Sequence, residues 1–247
     1  MWAWVHRLGA PERSFSICER YKPWLGWLSL LLFCVAAYEA LWVVPADYQQ
    51  GDAYRVLFIH VPCAMLSLGC YAAMTVAEVV AYVWGLTIAS IVSRLLAPLG
   101  LVLTCLTLMT GSLWGRPTWG TYWIWDARLT SELILGFIYL GIIALRGALP
   151  NTRAAERIIG LLTCIGAINL PIIHYSVQWW HTLHQGATVL RLGKPNMAPE
   201  MLPPLFFFIV AFVSFAAWWV MTHAQRALLI AKCDTQWVNA WLKRKSS

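Results

Sequence analysis

Six mostly apolar stretches, each of about 20 residues, divide this chain and set what it can become. They lie at roughly 24–44, 57–84, 95–113, 129–149, 158–176 and 203–224. Each is long enough to cross the hydrocarbon core of a bilayer as a helix. In that solvent every backbone N–H and C=O must be satisfied within the segment, which restricts an unclosed span to α-helix. The expected fold class is therefore an all-α integral membrane protein, a single domain over 1–247 with six transmembrane helices. Composition agrees: 60% of the residues are hydrophobic and 12% charged, whereas a soluble domain carries about 25% charged residues. That balance excludes a soluble enzyme, a disordered chain and a nucleic-acid module, so no nucleic acid is expected as a partner.

The net charge of +7 then reads as basic residues anchoring loops. The first 23 residues carry Arg7, Arg13, Arg20 and Lys22 and no apolar signal-peptide core, so they are expected to form a cytoplasmic leader. With six spans, both ends share one side. That side, with the turns near 85–94 and 146–157, collects thirteen of the 18 Lys and Arg residues, including Arg94, Arg146, Arg153, Arg157 and a basic tail over 225–247. The other side holds Arg55, Arg116, Arg128, Arg191 and Lys194. The excess puts both termini in the cytoplasm and the remaining connections outside.

The outer connections are 45–56, 114–128 and 177–202. The middle one reads WGRPTWGTYWIWDAR, with Trp114, Trp119, Trp123 and Trp125 punctuated by Gly115, Pro117 and Gly120. Glycine and proline at those points are expected to prevent a continuous helix and favour turns. Tryptophan belongs at membrane interfaces, and that reading covers Trp24, Trp42, Trp84, Trp218 and Trp219. The crowding in 114–125 exceeds a belt and fits a concave aromatic platform for a large flat apolar ligand.

Four of the six histidines, His60, His174, His181 and His184, fall on or near this outer face. Pro62 is expected in the first turn of the second span, which sets His60 at its mouth. Two histidines from different segments facing an aromatic loop fit axial ligation of a haem iron. Zinc is the rival metal, but it usually recruits three or four ligands, and no outer cysteine stands by. His181 and His184 are three apart, and spacing does not choose between them. His174, beside Pro171, is expected to satisfy a helix opened by the proline.

Haem carries two propionates, which makes Arg55, Arg116 and Arg128 candidate counter-charges, with snorkelling to lipid phosphate as the plain alternative. Asp126 either caps the fourth span or holds indole N–H groups or Arg128 in shape. Glu39, Glu78 and Glu132 sit within or at the ends of spans, where charge is costly, and are expected to face partners or polar cavities. The seven cysteines form no CxxC pair and read as small buried apolar residues. There is no phosphate loop, so ATP is not hydrolysed on this chain, and no catalytic constellation is present.

The string from Trp114-Gly115 through Trp119-Gly120-Thr121-Tyr122-Trp123-Ile124-Trp125-Asp126-Ala127-Arg128 resembles the tryptophan-rich "WWD" signature of haem-handling membrane proteins. PADYQQGDAYRVLFIHVP at 45–62 and NLPIIHYSVQWWHTLHQG at 169–186 extend the resemblance, over essentially the whole chain, to the haem exporter protein C family of bacterial system I cytochrome c maturation. That resemblance implies haem b held on the periplasmic face, with His60 and His184 as axial ligands of the iron. It implies contacts to the macrocycle from Trp114, Trp119, Trp123, Trp125 and Asp126. It also implies transfer to haem chaperone protein E, beside a small single-span protein D and ABC transporter subunits A and B. Tyr122 stands where members often carry another tryptophan, and His181 where they often carry asparagine. Two other classes compete: a cytochrome b-like electron-transfer subunit, which ligates haem between histidines buried in helices, and a transporter subunit whose outer loops gate a pathway.

Overall fold

The computed structural model describes residues 3–150, 152–180, 182, 184 and 197–246. It is helical throughout, and among the described residues the one strand-like feature is an isolated bridge between Asp47 and Gly51. Six spanning helices are present, at Pro11–Val43, Asp52–Trp84, Thr87–Trp119, Ala127–Ala148, Arg153–Trp179 and Pro199–Ala231. Much of their apolar surface faces out of the bundle: Leu31, Val76, Phe137, Leu140 and Phe206 are all exposed. Apolar side chains on that outer surface are stable only against lipid. The chain is a multi-pass membrane protein.

A short helix α1 (Ala3–Leu8) precedes α2 (Pro11–Tyr38), which runs on into a π-turn at Glu39–Val43. A 3-10 turn at Asp52–Val56 leads into α3 (Leu57–Trp84), followed by α4 (Thr87–Trp119) and α5 (Ala127–Ala148). The fifth span is two helices, α6 (Arg153–Gly166) and α7 (Asn169–Trp179), and α8 (Leu202–Ala231) is the sixth. Helix α9 (Gln236–Ser246) closes the described chain. Helix α2 packs along α8 and α3 along α4, while α5 bridges α4 to α6 and α7.

The centre of the bundle is built on close approach between α3, α4 and α5. Tyr139 is fully buried and donates from its hydroxyl to Ser67 O at 2.7 Å. Its ring fits because residue 100 is glycine: a Cβ there would lie 2.1 Å from Tyr139 Cζ. Tyr71 meets Tyr139 edge to face at 5.1 Å and donates to Thr163 O at 3.0 Å. Buried Thr104, Thr107 and Thr163 return their hydroxyl protons to carbonyls one turn back in their own helices, so none is left unsatisfied in an apolar setting.

The ends of the helices differ from the sequence reading. Pro62 lies inside α3 rather than in its first turn, and Pro98 and Pro117 lie inside α4. Packed neighbours and local adjustment make such prolines tolerable in a membrane helix. The connection expected near 85–94 shrinks to Gly85 and Leu86, because Gly85 takes the left-handed conformation (φ 65°) that ends α3 and α4 begins two residues later.

The charged leader is largely helix, continuous with the first span from Pro11. The tail is likewise structured: α8 carries 225–231 within the bundle, and α9 packs back so that Trp237 and Trp241 meet Phe15 and the Trp241 indole donates to Glu19. The expectation of uniformly buried cysteines fails at Cys34, Cys105 and Cys233, which are exposed. A thiol is apolar enough to face lipid at the first two.

Candidate functional site

Chain alternation brings the turn at 44–51, the end of α4, the start of α5 and the end of α7 to one end of the bundle. The tryptophan segment departs from its expected form. Gly115 and Pro117 do not break the helix, which continues through Trp119. So close to a C-terminus, Pro117 removes a single N–H, and its freed carbonyl partner lies near the interface. Gly120, at φ 81°, is what stops α4, and the Arg116 guanidinium closes the turn on the Gly120 carbonyl while lying 5.7 Å over the Tyr122 ring.

His60 projects from the first turn and a half of α3. Its Nδ1 lies 3.0 Å from Thr110 Oγ1. The Thr110 hydroxyl has one proton and gives it to backbone carbonyls, at 2.6 Å from Leu106 O and 3.2 Å from Thr107 O. With that proton on the Leu106 carbonyl, Thr110 accepts from His60, an arrangement that puts the ring proton on Nδ1 and leaves the lone pair on Nε2. The ring reaches this position across Gly111, where a Cβ would lie 3.0 Å from His60 Cε1. Trp114, one turn further on, meets the imidazole edge to face at 5.9 Å and donates its indole N–H to Gln50 Oε1 at 2.7 Å.

His184 arrives at the same end from the connection after α7. Its Nδ1 lies 2.8 Å from Asp126 Oδ2, and its backbone N–H donates to Thr182 Oγ1 at 3.0 Å. Asp126 takes both roles raised for it. It caps α5 by accepting from Leu129 N at 2.8 Å, and it orients His184 and accepts from the Thr182 hydroxyl. It holds no indole: Trp123 Nε1 is buried without a partner among the described residues.

Burial pushes the Asp126 carboxyl up, but hydrogen bonds from Thr182, the Leu129 N–H and His184 outweigh it and hold the group below its usual range. Burial pushes His184 down, against the pull of Asp126, so the ring is neutral at pH 7 with its proton on Nδ1. Here too Nε2 keeps its lone pair.

The two imidazoles are near enough for a charge on His184 to be felt at His60, and the Arg128 charge reaches both. Trp119 joins them: its ring lies over Gly115, where a Cβ would be 3.0 Å from Cε3, and meets His184 edge to face at 4.7 Å. Trp125 is exposed and packs against Trp123 at 5.4 Å.

Arg55 stands apart from this group. It pairs with Asp52 at 2.8 Å, donates to the Ala40 carbonyl and lies over the Tyr54 ring, tying the end of α2 to the start of α3. His174 is exposed and meets Tyr175 edge to face at 4.7 Å. The fifth span is instead interrupted at Ala167–Ile168, and Pro171 sits in the first turn of α7, where no N–H is missed. His181, Arg191 and Lys194 lie outside the described residues. Sequence reasoning missed Gln50, Thr110, Gly111 and Thr182. Only Gly111 and Gly115, one helical turn apart, leave a readable signal, and only once α4 is known to continue past them.

Among the described residues the arrangement offers two imidazoles, an aromatic wall and the half-buried Arg128. Among the described residues no three His, Cys, Asp or Glu side chains gather as a metal cage.

Comparison with known proteins gives the same direction. Residues 4–239 match the family model "Heme exporter protein C". The Haemophilus influenzae protein of that name is 42% identical over 97% of this chain and 98% of its own length. The Escherichia coli K12 protein is 42% identical over 99% of both. The Bradyrhizobium diazoefficiens protein is 45% identical over 83% of this chain and 78% of its own. A Marchantia polymorpha protein described as "putative cytochrome c biosynthesis ccmC-like mitochondrial protein" is 41% identical over 80% of this chain and 84% of its own. A six-span bundle carrying this histidine and tryptophan pattern, matched along nearly its whole length, belongs to the heme exporter protein C family.

Proposed function

We propose that this protein binds haem b at the periplasmic face of a bacterial inner membrane, with His60 and His184 as axial ligands, and presents it to haem chaperone protein E. The small protein D and ABC transporter subunits A and B are its companions in that reading. One arrangement carries it: His60 Nδ1 faces Thr110 Oγ1 and His184 Nδ1 faces Asp126 Oδ2, which leaves both Nε2 atoms for a ligand, at one end of the bundle and beside one helix end rich in tryptophan. The name shared by the bacterial relatives supports haem as the cargo. The side rests on the charge distribution, thirteen basic residues against five.

Bound haem supplies an iron with two axial positions that accept neutral nitrogen donors. The chain's own residues do the rest. Thr110 and Asp126 fix which nitrogen each ring offers. Gly111 and Gly115 let His60 and Trp119 lie against α4. Arg128 supplies positive charge for a carboxylate, and Arg55 is engaged by Asp52 and the Ala40 carbonyl. A cytochrome b-like electron-transfer site expects both histidines inside helices, whereas His184 lies in a connection beyond α7.

The test is an absorption spectrum of the purified protein. His60→Ala and His184→Ala should each weaken haem retention by more than the about 10–100-fold that loss of a group orienting a ligand costs, and added imidazole should partly restore the spectrum. An unchanged six-coordinate spectrum in His184→Ala overturns the assignment and makes His181 the candidate. Trp119→Ala is expected to behave differently. An aromatic contact contributes about 0.5–1.5 kcal/mol, too little to empty a site held by two imidazoles. Haem retention should fall only severalfold while transfer to the chaperone falls further. A Trp119→Ala protein that purifies without haem, both histidines intact, would count against this division.

A further inference from the structure

The two candidate ligands are held by chemically different groups. His60 donates Nδ1–H to a neutral hydroxyl whose own proton is already committed to a carbonyl. His184 donates Nδ1–H to a carboxylate, and that carboxylate is fixed on three sides, by the Leu129 N–H, the Thr182 hydroxyl and the imidazole itself. A carboxylate acceptor draws the Nδ1 proton toward itself and makes the opposite nitrogen a stronger donor. A hydroxyl does this much less, since charge-assisted hydrogen bonds are roughly twice as strong as neutral ones.

The supports also differ in rigidity. Asp126 is the N-cap of α5. The group that faces His60 Nδ1 is a side-chain hydroxyl that also bonds the Leu106 and Thr107 carbonyls.

We propose that the pair is graded: Asp126 makes His184 the strong, retained donor, and Thr110 leaves His60 the weak donor that yields first when haem is handed on. The inference rests on the bis-histidine reading above. The exchange is a substitution at iron without oxidation or proton loss. The Fe–Nε2 bond of His60 breaks, its electron pair returns to His60 Nε2, and an incoming neutral donor supplies the new pair. Thr110 and Asp126 are positioning residues, since neither touches the iron.

The experiment uses the full-length, haem-loaded protein, reduced, with carbon monoxide as the probe. The C–O stretching frequency reports the ligand opposite the gas. In the unaltered protein it should match that of His60→Ala and differ from that of His184→Ala. Thr110→Val should speed displacement about 10–100-fold and leave the frequency unchanged. Asp126→Asn should shift the frequency and raise the reduction potential. A frequency in the unaltered protein that matches His184→Ala overturns the grading.

If the alanine variants hold no haem, the comparison passes to the two milder changes. A potential shifted more by Thr110→Val than by Asp126→Asn, or equally by both, overturns the grading as well, and a larger shift in Asp126→Asn supports it. Failure of the underlying reading looks different: both alanine variants would keep the original six-coordinate spectrum before any gas is added.

Discussion

Arg146→Met is expected to cost about 3–5 kcal/mol of stability, the penalty for leaving one member of a buried ion pair uncompensated. Arg146 Nη2 pairs with the Glu78 carboxylate, and the two side chains are only 12% and 7% exposed. Ser93 donates to the same carboxylate and lies 2.9 Å from Arg146 Nη2, so the cluster ties α3, α4 and α5 together at the end opposite the histidines. Without the guanidinium, Glu78 keeps one hydroxyl in apolar surroundings, and α6 is pressed close: a Cβ at Gly160 would lie 3.1 Å from Glu78 Oε2.

The pair itself contributes little, because Arg146 Nε and Nη1 are buried with no partner among the described residues. The double change Arg146→Met with Glu78→Gln should therefore recover most of the loss. Reversible unfolding in detergent micelles, run as a double-mutant cycle, measures this. A single variant within about 1 kcal/mol of the parent, well short of the broken-pair range, would mean that Glu78 does not depend on the guanidinium.

This cluster illustrates how far the sequence reading reaches. That Glu78 must have a partner follows from the cost of a charge within a span. That the partner is Arg146, 68 residues away, does not follow, because it depends on how α3 and α5 cross. The six spans were legible because a bilayer leaves an apolar segment of this length no alternative to helix. Their ends were not. Pro117 reads as a helix breaker and Pro62 as a first-turn residue, yet both sit inside their helices. The charged residues from Glu12 to Lys22 look like a leader, yet they ride on the same helix as the first span.

The candidate site was legible in its chemistry-bearing residues and illegible in the groups that aim them. His60, His184, Asp126 and the tryptophans stand out by type and by the segment that carries them. Thr110, Thr182 and Gln50 do not, since a threonine in a membrane helix ordinarily returns its proton to its own backbone, as Thr104 and Thr107 do. Thr110 does the same, and it becomes part of the site only because His60 comes from α3 to the oxygen left over. Arg55 shows the converse. Its position on the outer side suggests a counter-charge, but Asp52 three residues away and a carbonyl freed by the π-turn at the end of α2 engage it first.

A residue that carries no functional group is expected to matter to the site almost as much as a ligand. Gly111→Val should lower haem retention at the histidine site about 10–100-fold, approaching the loss in His60→Ala, while the bundle stays folded. A single Cβ at this position would lie 3.0 Å from His60 Cε1 and 3.6 Å from Nδ1, so alanine asks the ring to give by a few tenths of an ångström and should produce an intermediate loss. Valine adds two methyl groups to that Cβ. The ring then has to leave α4, which breaks its hydrogen bond to Thr110, and a ring that swings away no longer offers Nε2 beside Trp114. Gly141→Val is the control, because a Cβ at Gly141 meets nothing within 4 Å. Haem content, the absorption spectrum and the unfolding midpoint in detergent should be read together on all three variants. A Gly111→Val protein with the parent's haem content and spectrum would show that His60 does not need this face of α4, and would remove the main support for His60 as a ligand held between Thr110 and Trp114.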